Sequence, residues 1–241
     1  MDNSYLSIKE IQKIVFKDLQ EVNNIIIDNI GNEVPLIKDL SKHILASGGK
    51  RIRPMVTLLS SRLCNYSGNN QLYLAACVEF IHTATLLHDD VIDESKMRRG
   101  VATANDIFGN KTSVLVGDFL FSRAFELMVQ YGSKQILEVL SKASSTIAQG
   151  EVLQLTTIND SSTNQELYMK IIENKTASLF SAASEISAIL SEEKDIIQKS
   201  LKTYGQKLGI AFQLIDDALD YAGTSALDKS IGDDFREGKM T

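Results

Sequence analysis

The stretch HTATLLHDDVIDESKMRRG, residues 82–100, runs an apolar helix-forming segment into three carboxylates, Asp89, Asp90 and Asp93, and places Arg98 and Arg99 close behind. Thr83 to Leu87 reads as core, and the segment turns apolar again at Val91 and Ile92. Three carboxylates at the end of a buried run repel one another, and each costs several kcal/mol to desolvate without a cation nearby. The pattern recurs in AFQLIDDALDY, with Asp216, Asp217 and Asp220. Helix positions i and i+4 share a face, so Asp89 aligns with Asp93 and Asp216 with Asp220. Gln213 lies three and four residues before Asp216 and Asp217. His82 lies seven residues, about two turns, before Asp89 and faces the same way.

One such motif alone fits a solvated acidic helix face as well as a metal site. Two copies, each following a buried-looking run, favour paired carboxylate sets lining the mouth of a cavity. Oxygen-only ligands on rigid helices suit Mg²⁺, which keeps several waters and is completed by substrate phosphates. The glycine and distal glutamate of a calcium loop are missing from both motifs. Glu79 and His82 have the ExxH spacing of di-iron bundles, but with three histidines in the chain there is no second copy, and that reading is rejected.

Basic residues supply the anion side. GGKRIRP, residues 48–54, puts Lys50, Arg51 and Arg53 at a loop-to-helix junction, a natural anion site in which arginine can clamp phosphate bidentately. An exposed basic turn would carry the same spacing. Lys175 and Thr176, in IIENKTASLF, interrupt an apolar helix, where snorkelling is the competing account. Lys229 and Lys239 flank the acidic run at 232–234, where ordinary surface charge competes.

The elements that must position these groups are helices. Apolar residues recur at three- and four-residue spacing through most of the 241 residues. The pattern predicts helices at 5–29, 33–46, 52–65, 70–93, 113–131, 134–157, 164–190 and 192–221, with Ser191 as an N-cap before Glu192, Glu193 and Asp195. Clusters of turn formers separate them, and no useful strand-like alternation is found. The expectation is a single all-α domain over residues 1–241. Hydrophobic residues at 44% allow a substantial core, and a net charge of −6 argues against a nucleic-acid binder. Cys64 and Cys77 lack metal-ligand spacing and read as buried thiols of a reducing compartment. No apolar run approaches the roughly 18 residues of a membrane span, and MDNSYLSIKE does not resemble a signal peptide, so a soluble cytoplasmic protein is predicted.

Taken together, GGKRIRP, LLHDDVIDESKMRRG, GEVLQL, KTASLF, FQLIDDALDY and GDDFREGK are similar in order and spacing to trans-prenyl diphosphate synthases, above all to the long-chain bacterial type. The resemblance covers essentially the whole chain. It implies a helical bundle around a large central cavity, a homodimer, and Mg²⁺-dependent joining of isopentenyl diphosphate to an allylic diphosphate. It implies that Asp89, Asp90, Asp93, Asp216, Asp217 and Asp220 hold the metal and that Arg98, Lys175 and Lys239 grip the allylic diphosphate; Lys229 is a further substrate-binding candidate. It also implies that Lys50, Arg53, His82 and Arg99 bind isopentenyl diphosphate, and that Thr176 and Gln213 face the allylic cation. Product length then depends on small residues upstream of the first motif, Ala84 and Thr85, with a floor near Phe125 or Met128. On a helical wheel Thr85 lies about 40° from Asp89 and Ala84 about 140°, so the choice of Ala84 rests on the resemblance. A long polyprenyl product destined for a quinone side chain is expected. A terpene cyclase would ordinarily lack the second aspartate motif and GGKRIRP, and a non-catalytic partner subunit commonly loses aspartates that are intact here. The resemblance also leads one to expect further helices after GDDFREGKMT.

Overall fold

The structure, a computed structural model, describes residues 6–31, 33–46, 49–98, 100–160, 162–222 and 238–239. Helices α1 (Ile8–Ile14), α2 (Phe16–Ile30), α3 (Pro35–Ala46), α4 (Ile52–Leu63) and α5 (Asn70–Ile92) are followed by a minimal hairpin, β1 (Met97–Arg98) and β2 (Val101–Ala102). Then come α6 (Ala104–Phe108), α7 (Asn110–Tyr131), α8 (Lys134–Leu155) and α9 (Gln165–Ile172). A π-helical turn, Glu173–Ala177, leads without a break into α10 (Ser178–Leu190), and α11 (Asp195–Ala222) follows.

Two helices are buried on nearly every side, and the rest are arranged around them. A helix apolar all round belongs in the interior. In α5, residues 74–81 are all buried, and in α10 only Ser178, Glu185 and Leu190 are not. α5 packs along α7 and against α2 and α4; α10 packs against α11, α4 and α8. Most buried apolar side chains from α2 to α10 form one contiguous cluster that includes Phe80, Ala84, Leu120, Met128 and Phe180. The described residues are thus all-α apart from the hairpin.

Four local features depart from the sequence pattern. The first helix starts at Ile8, where a capping box joins Ser7 and Glu10: Glu10 N–H donates to Ser7 Oγ at 3.3 Å and Ser7 N–H to the Glu10 carboxylate at 2.7 Å. It breaks at buried Val15, whose φ of −116° and ψ of 21° are not helical. The hairpin 97–102 carries no alternation to find, since each strand has two residues; Gly100, at φ 74°, supplies the left-handed position in its turn. Ser191 is the C-cap of α10 and not the N-cap of the next helix. Its Oγ donates back to Ser187 O at 2.8 Å, Glu192 turns the chain at φ 54°, and α11 begins only where Ile197 and Gln198 N–H reach Lys194 O.

Candidate active site

The end of α5 delivers the first aspartate set. Asp90 is 4% exposed and receives both Arg98 Nε and Nη2 on one oxygen, at 2.9 and 2.7 Å. The hairpin aims Arg98 there, since β1 folds back beside the helix it has just left. Asp93, the C-cap, takes Lys239 Nζ at 2.7 Å. Gly238 is tied down in turn by Asn159, whose N–H donates to Gly238 O at 2.9 Å. Asp89 faces Lys175 Nζ at 3.9 Å. Burial pushes the Asp89 carboxyl up to about 7; Lys175 opposes this, Glu151 and Asp93 add to it, and Arg98 opposes it again.

The π turn links the two acidic helices. Lys175 Nζ reaches Glu151 Oε2 at 2.7 Å and donates to Gln154 Oε1 at 2.8 Å, both on α8. The next residue, Thr176, donates to Gln213 Oε1 at 2.6 Å, and Gln213 Nε2 donates to Asp217 Oδ1 at 2.7 Å, both on α11. Tyr168 OH donates to the other Asp217 oxygen. Adjacent side chains thus reach α5 and α8 on one side and α11 on the other, so the two aspartate motifs flank one π turn. Two glycines permit the fit. A Cβ on Gly150 of α8 would lie 2.9 Å from Lys175 N, and one on Gly209 of α11 would lie 2.5 Å from Ala177 Cα. π turns of this kind recur at functional sites because they break helical register locally.

GGKRIRP borders the same face of α5. Arg53 Nη1 donates to His82 Nε2 at 3.2 Å, which requires that ring nitrogen to be unprotonated. The Arg53 guanidinium also stacks 4.5 Å over the Phe180 ring. Lys50 is exposed at the rim. On α5 the partly accessible stripe is His82, Thr85, Leu86 and Asp89, whereas Ala84 is fully buried in the interior cluster.

Residues 34–241 match the family model for polyprenyl synthetase. The chain belongs to the polyprenyl synthetase family. It is 51% identical to octaprenyl diphosphate synthase of Escherichia coli, over 98% of this chain and 73% of that protein. It is 42% identical to an all-trans-nonaprenyl-diphosphate synthase of Rhodobacter capsulatus, over 97% of this chain and 72% of that one. Among solved structures it is similar to a polyprenyl synthase from Caulobacter crescentus complexed with calcium and isoprenyl diphosphate. The TM-score is 0.94 at 50% identity, covering 98% of this chain and 72% of that one. A decaprenyl diphosphate synthase from Rhodobacter capsulatus superimposes at a TM-score of 0.93 with 48% identity, over 98% of this chain and 73% of that one.

Within this polyprenyl synthetase fold, the structure brings together Asp89, Asp90, Asp93, Arg98, Lys175, Thr176, Gln213, Asp217 and Lys239. Asp216 and Asp220 lie on the same helix turns as Asp217, with Asp220 buried. Among the described residues, no three His, Cys, Asp or Glu side chains converge tightly enough to hold a metal as they stand. Asp89, Asp90 and Asp93 face Lys175, Arg98 and Lys239 instead. Arg99 and Lys229 fall outside the described residues. Met128 is buried in the same cluster as Ala84, but Phe125 is 40% exposed on α7, its ring edge-on to Phe121, and does not join them.

Glu151, Gln154 and Tyr168 were not singled out from the sequence as site residues. GEVLQL held a signal for the first two: Glu151 and Gln154 are spaced i, i+3 on one face of a helix otherwise apolar at that point. Tyr168, seven residues before Lys175, carries no comparable signal.

Proposed function

We propose that this chain, as one polyprenyl synthase domain, condenses isopentenyl diphosphate with allylic diphosphates to build a long all-trans polyprenyl diphosphate of the quinone side-chain type. The carrying observation is the π turn, whose neighbours Lys175 and Thr176 couple the two aspartate motifs into one site. The 50% identity to a synthase solved with a divalent cation and isoprenyl diphosphate supports the same reading.

Asp89, Asp90, Asp93, Asp216, Asp217 and Asp220 are the residues that would hold Mg²⁺, and their hard carboxylate oxygens fit it. Asp89, partly accessible and raised to about 7 chiefly by desolvation, with Glu151 and Asp93 adding to it, marks a position where positive charge is wanted. When bound, the ion supplies Lewis-acid stabilisation of the charge that develops on the departing diphosphate. Arg98, Lys175 and Lys239, which face the aspartates, would bind the allylic diphosphate beside the metal. Lys50, Arg53 and His82 bind isopentenyl diphosphate as a second anion alongside, with Arg99 a further ligand. Loss of diphosphate leaves an allylic cation, the isopentenyl double bond attacks it, and the resulting cation loses a proton to the departed diphosphate, giving the lengthened allylic diphosphate and inorganic diphosphate. Thr176 fixes the Gln213 amide so that its dipole is oriented before the cation forms, a preorganised electrostatic contribution. The growing chain runs along the Thr85 side of α5, away from Asp89.

The setting follows. No described helix is long and apolar enough to cross a membrane, and a cytoplasmic enzyme with a membrane-destined product fits that. Leu115 and Val129 of α7, 67% and 70% exposed, together with Val152 and Leu155 of α8, present apolar surface that a homodimer would cover.

The test is turnover of radiolabelled isopentenyl diphosphate with an allylic primer and Mg²⁺. Asp89→Ala and Asp216→Ala should each abolish it while the helical circular dichroism is unchanged. A variant retaining more than about a tenth of the wild-type rate, only about 1.4 kcal/mol in barrier, would defeat the metal-ligand assignment. No prenyl product from the wild type with any primer would defeat the enzymatic reading.

A further inference from the structure

The ExxH spacing in α5 has a use that no metal explains. Glu79 and His82 lie one turn apart on the same helix, and each holds one of the two arginines of GGKRIRP: Glu79 pairs with Arg51, and His82 accepts from Arg53. Glu79 is 5% exposed, on a stretch of α5 whose neighbours are all core residues. A carboxylate buried this deeply is tolerated only when a cation answers it, and Arg51 does so. Arg51 sits in a left-handed conformation, φ 48° and ψ 39°, which an L-residue adopts only when its surroundings hold it there. From that position its carbonyl accepts Met55 N–H at 2.9 Å, opening α4, while Lys50 just before it is pinned by Gln12 Nε2 donating to Lys50 O at 3.1 Å. The turn between Lys50 and Arg53 is therefore set by a guanidinium that points inward.

We infer that Glu79 and Arg51 are positioning residues for the isopentenyl diphosphate site: the buried pair fixes the turn that presents Lys50 and Arg53 to the diphosphate, and Arg51 is not itself a diphosphate ligand. The inference rests on the proposed placement of isopentenyl diphosphate at Lys50, Arg53 and His82. It divides the three basic residues of GGKRIRP, alike in charge, into two that bind substrate and one that holds them in place.

The experiment measures KM for each substrate separately, with kcat and the thermal midpoint, in four variants of the full chain. Glu79→Gln leaves Arg51 buried without its counter-charge and should raise the isopentenyl diphosphate KM about tenfold or more, with the allylic KM within about twofold. The double variant Glu79→Leu/Arg51→Met removes both charges and keeps apolar volume, so it should fold as stably as wild type. It should still show the raised isopentenyl KM, which a purely structural role would not produce. Arg51→Lys should fall between, because a point charge replaces the planar fork. Lys50→Ala is the control and should raise the same KM. If Lys50→Ala raises it while the double variant keeps the wild-type value, the positioning role is overturned and the site placement stands. If Lys50→Ala leaves it unchanged, the placement fails and this inference falls with it.

Discussion

Lys175 Nζ stands 2.7 Å from Glu151 Oε2, so the lysine that faces the first aspartate motif is held by a carboxylate from a different helix. Its distance to Asp89, 3.9 Å, is the longer of the two. Glu151 thus draws the ammonium away from Asp89 and leaves that carboxylate more open to a metal. Glu151→Gln should let Lys175 close on Asp89 and compete with Mg²⁺. The expected result is a several-fold rise in the Mg²⁺ concentration needed for half-maximal rate, with little change once Mg²⁺ is saturating. Titrations of rate against Mg²⁺ for the two proteins decide it, and an unchanged midpoint would remove Glu151 from this role.

Asp89 as a metal ligand should also make Mg²⁺ binding depend on pH. Its carboxyl is raised from an ordinary 3.8 to about 7, chiefly by burial. The folded protein therefore holds a proton that the unfolded chain has already released between these values. The associated stability is complete below the unfolded value and is lost as pH rises through the folded one. Without metal, the thermal midpoint should fall between about pH 4 and pH 7 on account of this group. Mg²⁺ must displace the same proton, so its half-saturating concentration should be higher at pH 6 than at pH 8. Calorimetry in buffers of different ionisation enthalpy would show proton release on binding at pH 6. The opposite pH order would mean that Asp89 is not a ligand.

Tyr168 and Gln213 hold the two oxygens of Asp217 in opposite directions. Partners that orient a ligating carboxylate typically matter about ten- to a hundredfold in metal affinity or activity. Tyr168→Phe keeps the ring and removes only the hydroxyl, so the fold should be unaffected and kcat should drop within that range. Loss of activity that excess Mg²⁺ largely rescues would place the effect on the metal. Full activity would make the hydroxyl incidental.

Thr85 and Ala84 separate product length from packing. Thr85 lies on the accessible stripe of α5, so Thr85→Phe should shorten the polyprenyl ladder on reversed-phase chromatography with little cost in stability. Ala84 is fully buried against the core, and a ring there must push neighbouring helices apart, typically at about 1–3 kcal/mol. Ala84→Phe should therefore lower the thermal midpoint, which Thr85→Phe should not. An unchanged ladder in Thr85→Phe would move the hydrocarbon path elsewhere.

The contrast between those two alanine- and threonine-sized positions shows what the sequence could convey. Helical period alone put His82, Thr85 and Asp89 on one side of α5, and these are among the partly accessible residues of that helix. Period also separated Ala84 from them. Long amphipathic segments such as α7 and α8 were legible for the same reason, since burial repeats over many turns. What was not legible acts over one or two residues or across the fold. A two-residue strand has no alternation, yet it decides where Arg98 points. A π turn leaves the apolar pattern of 164–190 nearly intact, so that stretch reads as one ordinary helix. Tyr168 meets Asp217 only because α9 and α11 pack around that turn, a contact between residues far apart in the chain.

The π turn also sets which accidents of inheritance this gene can survive. It amounts to one residue more than an α-helix would need over Glu173–Ala177. Loss of any single codon there would let the backbone relax into a regular helix, without a break or a frameshift elsewhere. The damage would be local: five residues of π turn sweep about the same angle as four of α-helix, so α9 and α10 would keep their relation while the side chains inside the turn were re-aimed. Lys175 and Thr176 could no longer serve opposite walls. Among relatives, gaps should therefore collect in the turns between helices and be purged from these five positions, whatever amino acids occupy them.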